Sequence, residues 1–292
     1  MNDDHLSDLR SLVGDRLAEI AAGAAMPEPL REPVHVALRS PGKRIRGLLV
    51  LTAGESCGCR ADSLLDAAAA FEMIHASSLI LDDLPSMDDA AMRRGEPALH
   101  RRFGEDLAIL TAVALLNHGY GALARNHGAL TPRRWSLGEV LERTVAAVGW
   151  EGSVGGQAVD LHSGAAALDF QTLEYIHSRK TGALFVAAAA SGAMLANAPE
   201  RSVLAIEAYA KNLGLAFQIT DDVLDATSTV EELGKDVGKD EARLTFVKLA
   251  GLDGARRLAG ELLETSLAAV AALGRPAQPL RDLALLLRDR SR

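Results

Sequence analysis

The sequence predicts an all-α fold, a single large helical bundle, on three observations. Apolar residues recur at helical spacing almost throughout: Leu6, Leu9, Leu12, Val13, Leu17 and Ile20 form one stripe, and Leu258, Leu262, Leu263, Leu267, Val270 and Leu273 form another. No stretch sustains the period-2 alternation and β-branched enrichment of a strand, and Ala and Leu dominate instead. Turn residues cluster at Pro27–Pro33, Pro41-Gly42, Cys57-Gly58, Pro97, Gly128–Pro132, Gly149–Gly156, Asn197–Pro199, Thr227–Asp240 and Gly274–Pro279. The segments between them run to roughly 12 to 25 residues, the length of ordinary helices. With no long linker, solenoid-period repeat or low-complexity block, one domain over residues 1–292 with about ten helices is expected.

In chain order, the N-terminal stripe supplies the first helix, closed by Pro27. The segment Phe71–Asp89 is an apolar helix ending abruptly in four carboxylates, Asp82, Asp83, Asp88 and Asp89. Pro85 lies among them, and its missing N–H and ring clash predict that the helix deforms there. Lys180-Thr181-Gly182 opens an apolar helix whose uncharged run, Ala183–Ala196, is broken by Ser191 and Gly192. At 14 residues that run falls short of a bilayer span and reads as a buried helix, so no transmembrane segment is expected. Leu213–Asp225 is a second apolar segment with an acidic end, and the Leu258–Leu273 stripe supplies a late helix.

Composition narrows the class. A chain of 292 residues, 48% hydrophobic and 24% charged, excludes a disordered tail, a collagen-like repeat and a small disulfide scaffold. With 39 acidic against 31 basic side chains its formal charge is −8, which argues against a nucleic-acid partner. Any polyanionic ligand must then meet local basic clusters or metal ions held on carboxylates. Cys57 and Cys59 are too close to staple distant segments and too few for a zinc site, and they read as incidental thiols in a reducing cytosol. The N-terminus carries Asp3, Asp4 and Asp8 rather than the basic-then-apolar order of a signal peptide, so a cytoplasmic location is expected.

The two acidic ends are the sharpest chemical signal. Several like charges desolvated together are costly to hold close without a metal or a cationic partner. At about 100° per residue, Asp221 and Asp225 fall roughly 40° apart, with Gln218 on the same face. His75 falls about 20° from Asp82 two turns back, whereas Asp82 and Asp88 would be about 240° apart on an ideal helix. Carboxylates without Cys favour a hard cation such as Mg²⁺, which usually binds protein carboxylates together with substrate phosphates. Basic groups flank both clusters: Lys43, Arg44 and Arg46 after a Pro break, Arg93 and Arg94 beside the first cluster, Lys180, and Lys235 and Lys239 beyond the second. Arg offers phosphate a planar fork and Lys a compact charge.

Gly42-Lys43-Arg44-Ile45-Arg46, the Asp82–Asp89 run followed by Arg93-Arg94-Gly95, Lys180-Thr181-Gly182, Phe217–Asp225 and Gly234–Asp240 stand in the order of one family. The chain resembles the trans-prenyl diphosphate synthases, the polyprenyl synthetase family, over essentially its whole length, and most resembles bacterial geranylgeranyl diphosphate synthases. The resemblance implies an isoprenoid-synthase bundle with a central apolar cavity, working as a homodimer. It implies metal ligation by Asp82, Asp88, Asp221 and Asp225, with three Mg²⁺ ions and with Asp83 and Asp222 supporting. It assigns Arg93, Lys180, Thr181, Gln218 and Lys235 to the allylic diphosphate, and Gly42, Lys43, Arg46, His75 and Arg94 to isopentenyl diphosphate. Asp82, Asp88, Asp221, Lys180 and Lys235 would carry the ionisation step.

Two small side chains, Ser77 and Ser78, stand where bulky residues stop chain growth in this family, which implies a twenty-carbon product. A fifteen-carbon farnesyl product is the alternative, and a terpene cyclase or a non-catalytic partner subunit are more distant ones. Only 11 aromatic residues argue against the cyclase. The sequence departs from the family at Arg243-Leu244-Thr245-Phe246-Val247, where Lys followed by Thr-Tyr-Pro is usual. It departs again at Pro41-Gly42, where a glycine pair is usual, which leaves the loop's positive-φ capacity to Gly42.

Overall fold

In the computed structural model the structure describes residues 3–23, 25–130, 134–162, 169–227 and 245–288. Its helices are α1 (Asp3–Gly23), α2 (Glu28–Arg39), α3 (Ile45–Ser56), α4 (Leu65–Asp82), α5 (Leu99–Phe103), α6 (Glu105–Ala129), α7 (Leu137–Val148), α8 (Ser153–His162), α9 (Phe170–His177), α10 (Ala183–Leu195), α11 (Glu200–Thr227), α12 (Phe246–Ala269) and α13 (Gln278–Arg288). Helices α3, α4 and α10 are apolar nearly all round and become the centre, since such a helix must be covered on every side. They pack in series, α4 on α3, α3 on α10 and α10 on α11, while α1, α2, α6, α7 and α13 enclose them and α12 covers α11.

Small residues set how closely this centre closes. At Gly192 on α10 an added Cβ would lie 2.2 Å from the Val50 carbonyl oxygen on α3, so the two backbones touch there. At Gly119 on α6 it would lie 3.0 Å from the Ala70 carbonyl oxygen on α4. At the periphery Tyr209 is fully buried and its hydroxyl donates to the Leu280 carbonyl at 2.6 Å, tying α11 to α13. A smaller apolar cluster of Leu173, Ile219, Val223, Phe246 and Ala255 joins α9, α11 and α12.

Three local features differ from the sequence expectation. Strands were not expected, yet Met92–Arg93 and Glu96–Pro97 pair as a two-residue antiparallel ribbon, β1 and β2. Its two-residue turn, Arg94 (φ 54°) and Gly95 (φ 82°), has the positive φ at both central positions that a type I′ hairpin requires. Such a ribbon is too short for alternation to register. Lys180 does not open a helix: Ser178–Gly182 is a single π turn running from α9 into α10. Finally, by length and composition alone, helices α4, with the turn before it, and α6 are long and apolar enough to cross a membrane, a length that Ala183–Ala196 does not reach. Residues Ala67–Ile74 of α4 lie inside the bundle, whereas α6 leaves Ile109, Leu110 and Val113 exposed.

The Gly192 contact gives a direct test. Gly192→Ala is expected to lower stability by about 1–3 kcal/mol through forced separation of α3 and α10, measured by urea unfolding. Gly14→Ala, with no atom within 4 Å of the added Cβ, is the control and should be neutral or stabilising.

Candidate active site

Helix α4 ends at Asp82, just before the residues that Pro85 constrains. The chain then turns back so that the Asp88 N–H donates to the Asp82 carbonyl at 2.9 Å and the Asp89 N–H to the Leu84 carbonyl at 3.1 Å. The expected deformation is therefore a full break at the end of α4. It brings Asp88, out of phase on an ideal helix, beside Asp82. Burial pushes the Asp82 carboxyl up to about 6, against the pull of the Lys180 ammonium and with Asp88 adding repulsion. Asp83 is buried, and the Arg93 guanidinium grips it through Nε at 3.0 Å and through Nη2.

The second acidic end lies on the last two turns of α11. Asp221 Oδ1 stands 3.4 Å from Lys43 Nζ, although 178 residues separate them. The Lys43 ammonium also lies 4.9 Å from the Phe217 ring centroid, one turn back on α11. Asp222 accepts the Phe246 N–H at 2.9 Å and so fixes the start of α12. Asp225 is exposed on the final turn, one turn beyond Asp221. Gln218 Oε1 lies 3.2 Å from His177 Nδ1 on α9, directly before the π turn that carries Lys180 and Thr181.

The basic groups between the two ends are organised by one buried carboxylate that the sequence reading passed over. Glu72 on α4, 4% exposed, accepts the Gly47 N–H at 2.9 Å near the N-terminus of α3 and lies 3.7 Å from the Arg44 guanidinium. Arg44 donates to the Leu38 and Ser40 carbonyls at 2.8 and 3.0 Å, closing the end of α2, so it holds the loop. Arg46 lies over the Phe185 ring, 5.2 Å from its centroid. Burial lowers Arg46 to about 10, with Glu72 pulling the other way, which still leaves it charged at neutral pH. Burial, then Arg46, Arg94, Arg93 and Arg44, hold His75 well below its usual value, so its imidazole is neutral.

Gly42 departs from expectation. Positive φ in this loop belongs to Arg44 (φ 50°) and not to Gly42. The constraint on Gly42 is instead steric, because an added Cβ would meet Arg94 Nη1 at 2.8 Å. The hairpin turn thus lays the Arg94 guanidinium across the Gly42 backbone. Arg93, Arg94 and His75 line one side of a cavity of about 100 Å³ that also takes in Glu72 and Asp83, with Ala76, Leu79 and Ile80 among its apolar walls. A second, apolar cavity of about 190 Å³ lies on the other side of α2, bounded by Met73 of α4 and Leu115 of α6.

Ser77, 2% exposed, lies one turn from Met73 on α4, and Ser78 donates its hydroxyl to the His75 carbonyl at 2.9 Å. Lys235 and Arg243 lie outside the described residues. Among the described residues no three Asp, Glu, His or Cys side chains form a preformed metal cage. The donors nevertheless fit Mg²⁺, because this ion keeps waters and usually takes one or two protein carboxylates together with phosphate oxygens. Asp160 on α8 was also missed: its carboxylate accepts from Lys180 Nζ at 2.8 Å. Gly149–Gly156 was read as a break, and Asp160, one turn beyond it, was not singled out.

A model of the polyprenyl synthetase family matches residues 27–270. The chain belongs to the polyprenyl synthetase family. Geranylgeranyl pyrophosphate synthase 11, chloroplastic, of Arabidopsis thaliana is 40% identical over 272 residues, covering 87% of this chain and 74% of its own length. The geranylgeranyl diphosphate synthase of Cyanophora paradoxa is 38% identical over 290 residues, 98% of this chain and 96% of its own. The crystal structure of a geranyltransferase from Legionella pneumophila superposes with a TM-score of 0.87 at 30% identity, covering 100% of this chain and 97% of that one. The all-α bundle of this synthetase is thus a family property.

His75 makes the site's charge balance measurable. An imidazole whose folded pKa lies below its unfolded value binds its proton in the unfolded chain first. Stability therefore falls as pH drops below about 6.5, by at most ~1.4 kcal/mol per pH unit for one such group. His75→Gln, which cannot protonate, should flatten that slope between about pH 6.5 and 5 in urea unfolding with metal chelated. An unchanged slope would mean that His75 is not held neutral.

Proposed function

We propose that this synthetase condenses isopentenyl diphosphate with an allylic diphosphate, and that its main product is the twenty-carbon geranylgeranyl diphosphate. The observation that carries the reading is the interleaving of opposite charges from remote segments, Lys43 beside Asp221 and Lys180 within reach of Asp82. A pyrophosphate with its cations fits between such groups, since each carboxylate already has a positive neighbour.

In this reading Asp82, Asp88, Asp221 and Asp225 would hold Mg²⁺, three ions with the allylic substrate bound, which would supply charge neutralisation for the departing diphosphate. Arg93, Lys180, Thr181, Gln218 and Lys235 bind and orient the allylic diphosphate, so that breakage of its C–O bond leaves an allylic cation over apolar walls. Gly42, Lys43, Arg46 and Arg94 hold isopentenyl diphosphate, with neutral His75 offering a ring nitrogen as hydrogen-bond donor. Its double bond is thereby kept close to the cation. The condensation product then loses a proton, which the released diphosphate is positioned to accept, and no side chain is needed as base.

The growing chain extends along α4 past Ser78 and Ser77 towards the apolar cavity at Met73 and Leu115. Two small side chains in a buried stretch support the longer product. The exposed apolar side chains Ile109, Leu110 and Val113 of α6 support a homodimer through that face. Free thiols at Cys57 and Cys59 agree with a cytoplasmic setting, and one catalytic unit spans the chain.

The deciding experiment incubates the protein with Mg²⁺, isopentenyl diphosphate and dimethylallyl, geranyl or farnesyl diphosphate in turn, then sizes the dephosphorylated alcohols. Geranylgeraniol as the main product is expected. Farnesol alone would establish the fifteen-carbon alternative, and no turnover with any starter would favour a non-catalytic subunit. Asp82→Ala and Asp221→Ala should each lower turnover by about a thousandfold or more with the fold retained by circular dichroism. Ser77→Tyr should shorten the main product by one isoprene unit, and an unchanged product distribution would remove Ser77 from the floor of the channel.

A further inference from the structure

Helix α8 carries a group that neither the family motifs nor the charge pattern singles out. Asp160 accepts a hydrogen bond from Lys180 Nζ at 2.8 Å, and the two side chains are only 17% and 24% exposed. The contact is built rather than casual. One turn earlier on α8, Gly156 faces the π turn so closely that an added Cβ would lie 2.5 Å from the Lys180 backbone nitrogen and 2.9 Å from Arg179 Cβ. Gly156 therefore admits α8 against the backbone of Lys180, and Asp160 then overlies the same residue's side chain. Between them Gln157 reaches the first acidic loop, with Nε2 4.0 Å from Met87 Sδ. Helix α8 thus spans from the π turn to the loop that holds Asp88.

We infer that Asp160 is a positioning residue for Lys180: it fixes the ammonium at the edge of the site so that two of its three N–H groups face the allylic diphosphate. A lysine carries a four-carbon stem with high rotamer freedom, and a single strong acceptor at its tip removes most of that freedom before substrate arrives. The ammonium keeps two donors after bonding Asp160. The hydrogen bond to Lys180 Nζ is the route by which this carboxylate acts on the substrate, which makes it a positioning group rather than a catalytic one. This inference rests on the assignment of Lys180 to the allylic substrate, and the test separates the two.

The test is steady-state kinetics of Asp160→Ala, Asp160→Asn, Lys180→Ala and the Asp160→Ala/Lys180→Ala double variant, with farnesyl and isopentenyl diphosphates varied in turn. Asp160→Ala should raise KM for farnesyl diphosphate about tenfold, the scale of one hydrogen bond to a charged group, and leave KM for isopentenyl diphosphate unchanged. Asp160→Asn keeps an acceptor oxygen and should lose less. In the Lys180→Ala background, Asp160→Ala should have no further effect, which a merely structural role would not produce. Independent, multiplying effects, or equal rises in both KM values with a lower unfolding midpoint, would overturn the positioning role. So would tighter allylic binding in both Asp160 variants, which would make charge balance the only role of Asp160. If Lys180→Ala itself left the allylic KM unchanged, the assignment of Lys180 would fail and the inference with it.

Discussion

Carboxylates at the tips of apolar helices stay ionised beside one another only when cations lie within a few ångströms, and the site is arranged around that requirement. Asp83 has Arg93, Asp221 has Lys43, Asp160 has Lys180, and Glu72 has Arg44. Each pair joins segments that are distant in sequence or lie on different elements, so the charge balance also fixes how the elements meet. Asp82 is the least compensated member, raised to about 6 by burial with Asp88 and Asp83 nearby. Binding of a divalent cation therefore favours the ionised form of the acid that most needs it, and couples metal affinity to proton release.

The apolar framework makes these charge contacts possible by leaving the ends of α4 and α11 nowhere else to go. Gly192 on Val50 and Gly119 on Ala70 let central helices approach through their backbones, which sets the lateral distances. With α4 and α11 both anchored in the core, their acidic ends project toward the same basic loops. Glu72 does the corresponding work from within: a buried carboxylate on α4 holds Gly47 in the first turn of α3 and Arg44 just before it, whose guanidinium closes the end of α2. The loop bearing Lys43 is thereby carried by three helices at once.

The helical class, the acidic ends and the basic residues around them were legible in the sequence, because periodicity and clustered charge are local properties. Features decided by tertiary contact were not. Gly42 was read as a conformational requirement, whereas its neighbour Arg44 takes the left-handed backbone and Gly42 makes room for Arg94. Asp83 and Asp222 were read with the metal ligands, yet one is clamped by Arg93 and the other receives the first N–H of α12. The β1–β2 ribbon is too short for any periodic signal, and its turn places a non-glycine residue, Arg94, at positive φ. Asp160 carried no signal of its own, since a lone acid on a helix is commonplace.

The π turn at Ser178–Gly182 has a further consequence for how this chain tolerates change. Such a turn amounts to one surplus residue lodged in an otherwise regular coil. Deleting Gly182 would regularise the hydrogen bonding while swivelling everything upstream by about 100° relative to α10. Lys180 and Thr181 would then swing away from the cleft, although no contact of theirs had been altered directly. The length of this stretch thus sets a phase that the identity of its side chains alone would not.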